Sequence, residues 1–264
     1  MWRLLPLFLL IGAAPTGWRV PDPARLLVID TNRGRIVIEM EARVAPRAVE
    51  RVSLLARRGT YDGLLFHRVI DKFLAQTGNP NNRDGGGTEL PDIKPEFWVP
   101  EPESDVTWVR TTGDGREGII GSLPVAKGID PFMPAWVAHC TGLVGMGRQA
   151  DPRTANSEFY ITRGSTRGLD HDYTLFGRVL AGQAVVDALA VGEPPSTPDH
   201  MIRVRSAIDL ASADRPRLEV MDVRSREYTR LAAAKRRSRG SQLSICDMMP
   251  PARSSTWSTS RRPM

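Results

Sequence analysis

The chain has 264 residues, 41% hydrophobic and 25% charged, which suffices for one well-packed core or two small ones. Its net charge of +6 is concentrated at one end: ten Lys/Arg against two Asp/Glu from Arg224 onward give +8, which leaves the first 223 residues at −2. A body of that charge argues against a basic nucleic-acid-binding domain, and nucleic acid is not an expected partner.

The N-terminus reads as a secretory leader over residues 1–17. Arg3 supplies positive charge, Leu4 to Ile11 form a short apolar run, and Gly12, Ala13 and Ala14 offer small residues for cleavage. Pro15 disfavours cleavage directly after Ala14, which moves the expected site a few residues on. A bilayer span needs about 20 apolar residues, and no segment of the chain supplies them. The leader predicts a periplasmic or secreted protein.

Leu26 to Asp30 forms a short apolar strand, Gly34 a turn, and Ile36, Ile38 and Met40 alternate with Val37 and Glu39 as a second strand. Pro46 suits a first helical position. Val49, Val52, Leu54, Leu55 and Ala56 follow at helical spacing, with Arg47, Glu50, Arg51, Arg57 and Arg58 on the other side and Gly59 as the stop. Leu64 to Ile70 and Phe73 to Gln76 are further apolar segments, followed by a Gly- and Asn-rich turn from Gly78 to Gly87. Residues 88–141 are long and irregular, with several Pro and three Trp. Leu143 to Met146, Glu158 to Thr162, Thr174 to Leu180, Ile202 to Ile208 and Arg217 to Val223 are strand candidates, and Gln183 to Ala190 reads as a short second helix. Tyr228 to Arg237 could form a frayed helix, and Ser238 to Met264, rich in Ser, Arg and Pro without a period, reads as disordered. Many short strands, two helices and no alternating strand–helix rhythm favour a closed antiparallel barrel over a Rossmann or TIM-barrel fold.

Cys140 lies in the body and Cys246 in the tail. They have neither metal-ligand nor redox spacing, and a pair so divided reads as two unpaired thiols, although export would permit a disulfide.

Three segments carry the chemistry. YDGLLFHRVIDKFLAQTGN runs from Tyr61 to Asn79, GMGRQADPRTANSEFYIT from Gly145 to Thr162, and LDHDYTLFGRVL from Leu169 to Leu180. In this order they resemble the cyclophilin-type peptidyl-prolyl cis/trans isomerases, over roughly residues 25–208 less the long middle stretch. The resemblance implies a mainly β fold: an eight-stranded antiparallel β-barrel capped by two α-helices, with a proline-binding groove on its outer face, working without metal or other cofactor. It implies Arg68 as the catalytic arginine, Phe73 as the wall of the proline pocket and Gln76 as the glutamine that binds the substrate backbone. Met146 begins the segment that presents backbone groups to the peptide. Tyr160 stands where a pocket Phe is usual, Leu169 matches a pocket leucine, and Tyr173 stands where some members carry His. The domain then spans 25–223, with an insertion at about 98–138 and a basic tail over 224–264.

These residue types suit the reaction. Amide resonance gives X–Pro rotation a barrier of ~18–20 kcal/mol, and no bond need break to cross it. Twisting leaves a lone pair on the proline nitrogen, to which a permanently charged guanidinium can donate. Stronger binding of that twisted state than of the planar one is the catalysis.

Some features depart from the family. Gly168 stands where many relatives carry an aromatic, which predicts weaker cyclosporin binding through lost contact area. Glu158 replaces a usual Gln, and Gly147 to Ala150 is one residue longer than in compact members. The insertion could fold beside the groove or decorate the periphery. His67 reads as structural. Ser157 lacks the flanking glycines of a nucleophile elbow, which disfavours a hydrolase built on Asp170 and His171. The expected partners are proline-containing polypeptides, including proteins folding after export, met by a monomer. The alternative reading is a non-catalytic proline-peptide-binding or chaperone module on the same barrel.

Overall fold

The computed structural model describes residues 17–100 and 103–254. The expected leader, apart from Gly17, and the last ten residues of the tail lie outside the described residues. In chain order the strands are β1 (Trp18–Arg19), β2 (Leu26–Thr31), β3 (Gly34–Met40), β4 (Arg68–Ile70), β5 (Leu74–Thr77), β6 (Thr107–Thr112), β7 (Gly115–Ile120), β8 (Leu123–Gly128), β9 (Trp136–Val137), β10 (Leu143–Met146), β11 (Phe159–Thr162), β12 (Leu175–Ala181), β13 (Met201–Ser206), β14 (Leu218–Met221) and β15 (Ala252–Ser254). The α-helices are α1 (Pro46–Arg57), α2 (Gln183–Asp187) and α3 (Arg226–Arg239).

The main sheet has eight antiparallel strands in the order β13-β2-β3-β12-β10-β11-β5-β4. It curls around a core in which alternation decides what points inward. Ile36, Ile38 and Met40 of β3 meet Ala48, Val52 and Leu55 of α1, with Phe66, Phe159 and Phe176 filling the centre. The expected closed barrel is instead an open half-barrel. Strand β4 is only three residues long, and no continuous ladder joins its side of the sheet to β13 among the described residues: the isolated bridges Leu65–His200 and Val69–Gly192 and single hydrogen bonds such as Phe66 N–H to the Asp199 carbonyl at 2.8 Å link them. A ladder needs several consecutive pairs to close, and these two edges supply single ones.

The outer face of the sheet is covered as well. Val28, Val37 and Leu180 point away from α1 and pack under Leu210, Leu218 and Val220. The last two belong to a small sheet of order β1-β14-β15.

Three expectations need correction. The stretch 88–141 is not irregular throughout: between Thr107 and Val137 it contains a four-stranded sheet of order β6-β7-β8-β9. The segment after Arg224 is folded as far as Ser254. It forms α3, two 3-10 turns and β15, and its Tyr228, Ala232, Leu243, Ile245 and Met248 share one core with Ile119, Leu123 and Val125 of the inserted sheet. The cysteines are paired: Cys140 and Cys246 form a disulfide with Cα atoms 5.2 Å apart, which ties the C-terminal segment to the body. Sequence separation hid the last two, because the apolar residues of the C-terminal segment and Cys246 meet partners about a hundred positions away.

Candidate active site

Strand register assembles the site. Arg68 of β4 faces Gln76 of β5, Gln76 faces Tyr160 of β11, and Tyr160 faces Gly145 of β10. Cross-strand partners point to the same face of a sheet, so these three side chains form one row. Their neighbours Val69, Ala75, Phe159 and Ile161 point the other way into the core. Gly145 closes the row without a side chain, because a Cβ there would collide with the Tyr160 hydroxyl. Lys72, at φ 54°, makes the turn that brings Phe73 up beside the row.

The row floors an open groove of about 600 Å³, walled by Phe73, Leu169 and Tyr173 on one side and by Asp84, Gly147, Arg148, Gln149 and Ala150 at the rim. Six of the seven expected residues therefore meet in one place: Arg68, Phe73, Gln76, Tyr160, Leu169 and Tyr173. Met146 does not join them. Its side chain is buried in the core among residues packed under α1, and its amide donates to the Thr174 carbonyl at 2.9 Å. Alternation along β10 turns Gly145 to the groove and Met146 away from it.

Arg68 is held from several directions. Its Nε donates to Glu193 Oε2 at 2.7 Å, its Nη1 donates to Gln76 Oε1 at 3.0 Å, and Asp84 Oδ2 lies 3.8 Å from Nε. Gln76 in turn donates through Nε2 to Glu158 Oε1. The guanidinium and the amide are thus held in fixed positions at the floor of the groove. Glu193 and Asp84 were invisible as site residues in the sequence, since they sit in loops with no motif of their own.

The Tyr160 end of the floor rests on a buried polar chain. The Tyr160 hydroxyl lies 3.0 Å from His139 Nε2, and His139 Nδ1 lies 3.0 Å from Asp170 Oδ1. Asp170 also accepts from the His139 amide at 2.8 Å, from Trp136 Nε1 at 3.0 Å and from Arg167 Nε at 2.5 Å. Burial alone would raise the Asp170 carboxyl, but these hydrogen bonds and the Arg167 charge outweigh it and hold it below the usual aspartate range. Burial pushes the Tyr160 phenol well above its ordinary value, so it stays a neutral hydroxyl. Asp170 therefore partners His139, not His171, whose ring lies between Trp98 and Trp136 at 5.3 and 4.1 Å. The inserted segment thus braces the loop that carries Leu169 and Tyr173 from behind, while its own residues do not line the groove. Arg148 caps the rim, stacked 4.3 Å from the Tyr173 ring and paired with Asp172 at 2.7 Å.

The family model for "Cyclophilin type peptidyl-prolyl cis-trans isomerase/CLD" matches residues 26–208, which hold every element of the groove. The chain belongs to this family of isomerases. A relative named "Probable peptidyl-prolyl cis-trans isomerase" from Brucella suis is 30% identical over 204 residues, covering 75% of this chain and 90% of that protein. The human peptidyl-prolyl cis-trans isomerase-like 1 is 29% identical over 182 residues, covering 69% and 87%. Among solved structures, cyclophilin AquaCyp293 from Hirschia baltica superposes with a TM-score of 0.80 at 29% identity, over 90% of this chain and 95% of its own. That match reaches well beyond the family segment, into the additions packed around the cyclophilin fold. A Cryptosporidium parvum cyclophilin, solved in the presence of the dipeptide ala-pro, shares the fold at 19% identity and a TM-score of 0.51, over 69% of this chain and 98% of its own.

Proposed function

We propose that this cyclophilin accelerates rotation of X–Pro bonds in polypeptides folding after export, with Arg68 stabilising the twisted amide. The carrying observation is the register-set row of Arg68, Gln76 and Tyr160 on the groove floor beside Phe73, Leu169 and Tyr173. In this reading the apolar wall grips the proline ring, which stays still while the preceding carbonyl turns. Gln76 holds the substrate backbone, and Arg68 donates to the proline nitrogen as its lone pair localises. Arg68 is a suitable donor because a guanidinium keeps its charge at any working pH. Met146, whose side chain lies in the core, is left only a backbone role at the edge of the groove.

The Cys140–Cys246 disulfide supports the export half of the proposal, since such bonds form and persist in oxidising compartments. Among the described residues no helix is long and apolar enough to cross a membrane. Exchange NMR on an Ala-Pro peptide tests the activity: the protein at catalytic amounts must broaden or cross-link the cis and trans resonances. A peptide that binds without exchange would leave only the alternative of a passive proline-binding module.

A further inference from the structure

His67 is buried, and neither of its ring nitrogens has a hydrogen-bond partner. A buried imidazole with two orphan nitrogens is an uncommon arrangement, because desolvated polar atoms normally find partners. Its Nε2 points at two carboxylates from different parts of the chain, Asp84 Oδ1 at 3.3 Å and Glu158 Oε1 at 3.7 Å. The three ligand atoms all lie within 4.8 Å of one another. Tetrahedral bonds of about 2.0–2.1 Å to zinc place ligand atoms roughly 3.3–3.4 Å apart, close to the two shorter separations.

We propose that His67, Asp84 and Glu158 form a binding site for a divalent transition-metal ion of the Zn²⁺ class. One imidazole and two carboxylates are a donor set that Zn²⁺ accepts, and they leave a fourth position open toward the groove. Asn79, itself fully buried, contacts Glu158 directly and holds the backbone on either side of Asp84. Its Nδ2 lies 3.3 Å from Glu158 Oε2 and 2.6 Å from the Arg83 carbonyl, and it also donates to the Gly85 carbonyl on the other side of Asp84. Outer-shell groups of this kind fix the direction of metal-ligating side chains. The site shares Glu158 with Gln76 and approaches Arg68 through Asp84, so an ion held there stands at the edge of the catalytic row. The claim goes beyond the isomerase reading and does not depend on it, since metal binding is read without any turnover.

The test is titration of the full, tag-free chain with Zn²⁺ against a chromophoric chelator. One equivalent should bind to the wild type. His67→Asn and Asp84→Asn should each weaken that binding by at least about tenfold, whereas His171→Asn and His200→Asn, which alter an exposed and a half-buried histidine outside the cluster, should keep it. Asp84 lies on an exposed loop, so its variant remains informative even where the buried His67 substitution impairs folding. Failure of the wild type to retain one ion, equal affinity in the Asp84→Asn variant, or loss of the ion on changing His171 or His200 would each overturn the assignment.

Discussion

The Tyr160 hydroxyl and His139 Nε2 lie 3.0 Å apart with both residues buried, so the floor of the groove is bonded directly to the segment that follows the inserted sheet. Through His139 the contact continues to Asp170, and from there to Trp136 of β9. The groove of this cyclophilin is therefore braced by its insertion rather than merely bordered by it.

Removing the hydroxyl tests that brace. Tyr160→Phe keeps the ring against the groove but leaves His139 Nε2 unpaired in the core. The expected loss is about 1–3 kcal/mol of folding stability, read from urea unfolding. Stability equal to wild type would show that the hydroxyl contributes nothing through His139.

Asp170 gives a pH dependence with a definite sign. Its folded pKa lies below the ordinary aspartate value of about 3.9, so its contribution is complete above that value. The contribution is lost as pH falls through the depressed folded value. Asp170→Asn should therefore lower stability at neutral pH and flatten the decline below about pH 4, measured by thermal melts across pH. A parallel downward shift at every pH would contradict this assignment.

How much of this was legible in the sequence follows from where each side chain finds its partners. The β2–β3 hairpin and α1 were readable because Ile36, Ile38, Met40, Val52 and Leu55 repeat with the period of their own element. Arg68, Phe73 and Gln76 were readable because they lie in two adjacent strands joined by a short turn. Met146 was assigned to the groove segment without the alternation that turns it inward. The helix over Tyr228 to Arg237 was readable and is α3, but only Tyr228 and Ala232 of it are buried, a stripe too narrow to reveal what it packs against. Strands β6 to β8 mix Thr, Arg, Gly and Pro with their apolar residues, and the core they complete is supplied by Ile245 and Met248. The disulfide spans a separation of 106 residues, which no local pattern can signal.

That disulfide should matter to the fold. The double variant Cys140→Ser, Cys246→Ser loses a long-loop constraint and should be about 2–5 kcal/mol less stable, with α3 the first element to exchange its amides. Unchanged denaturation midpoints under oxidising and reducing conditions would show that the C-terminal segment holds without the bond.

Gly168 stands in open space beside Leu169 of the groove: a Cβ there meets nothing within 4 Å. Gly168→Trp should add contact area over the groove and tighten cyclosporin by about 1–2 kcal/mol, roughly 5–30-fold, by calorimetric titration. Unaltered affinity would mean that the added ring turns away to solvent.

The central claim rests on Arg68, and kcat/KM for an Ala-Pro peptide in wild type and Arg68→Ala measures it most directly. The expected result is a clear rate enhancement by the wild type and a loss on the order of 10²–10³-fold in the variant, with its fold intact by circular dichroism. A correctly folded Arg68→Ala protein that isomerises the peptide as fast as wild type would contradict the assignment.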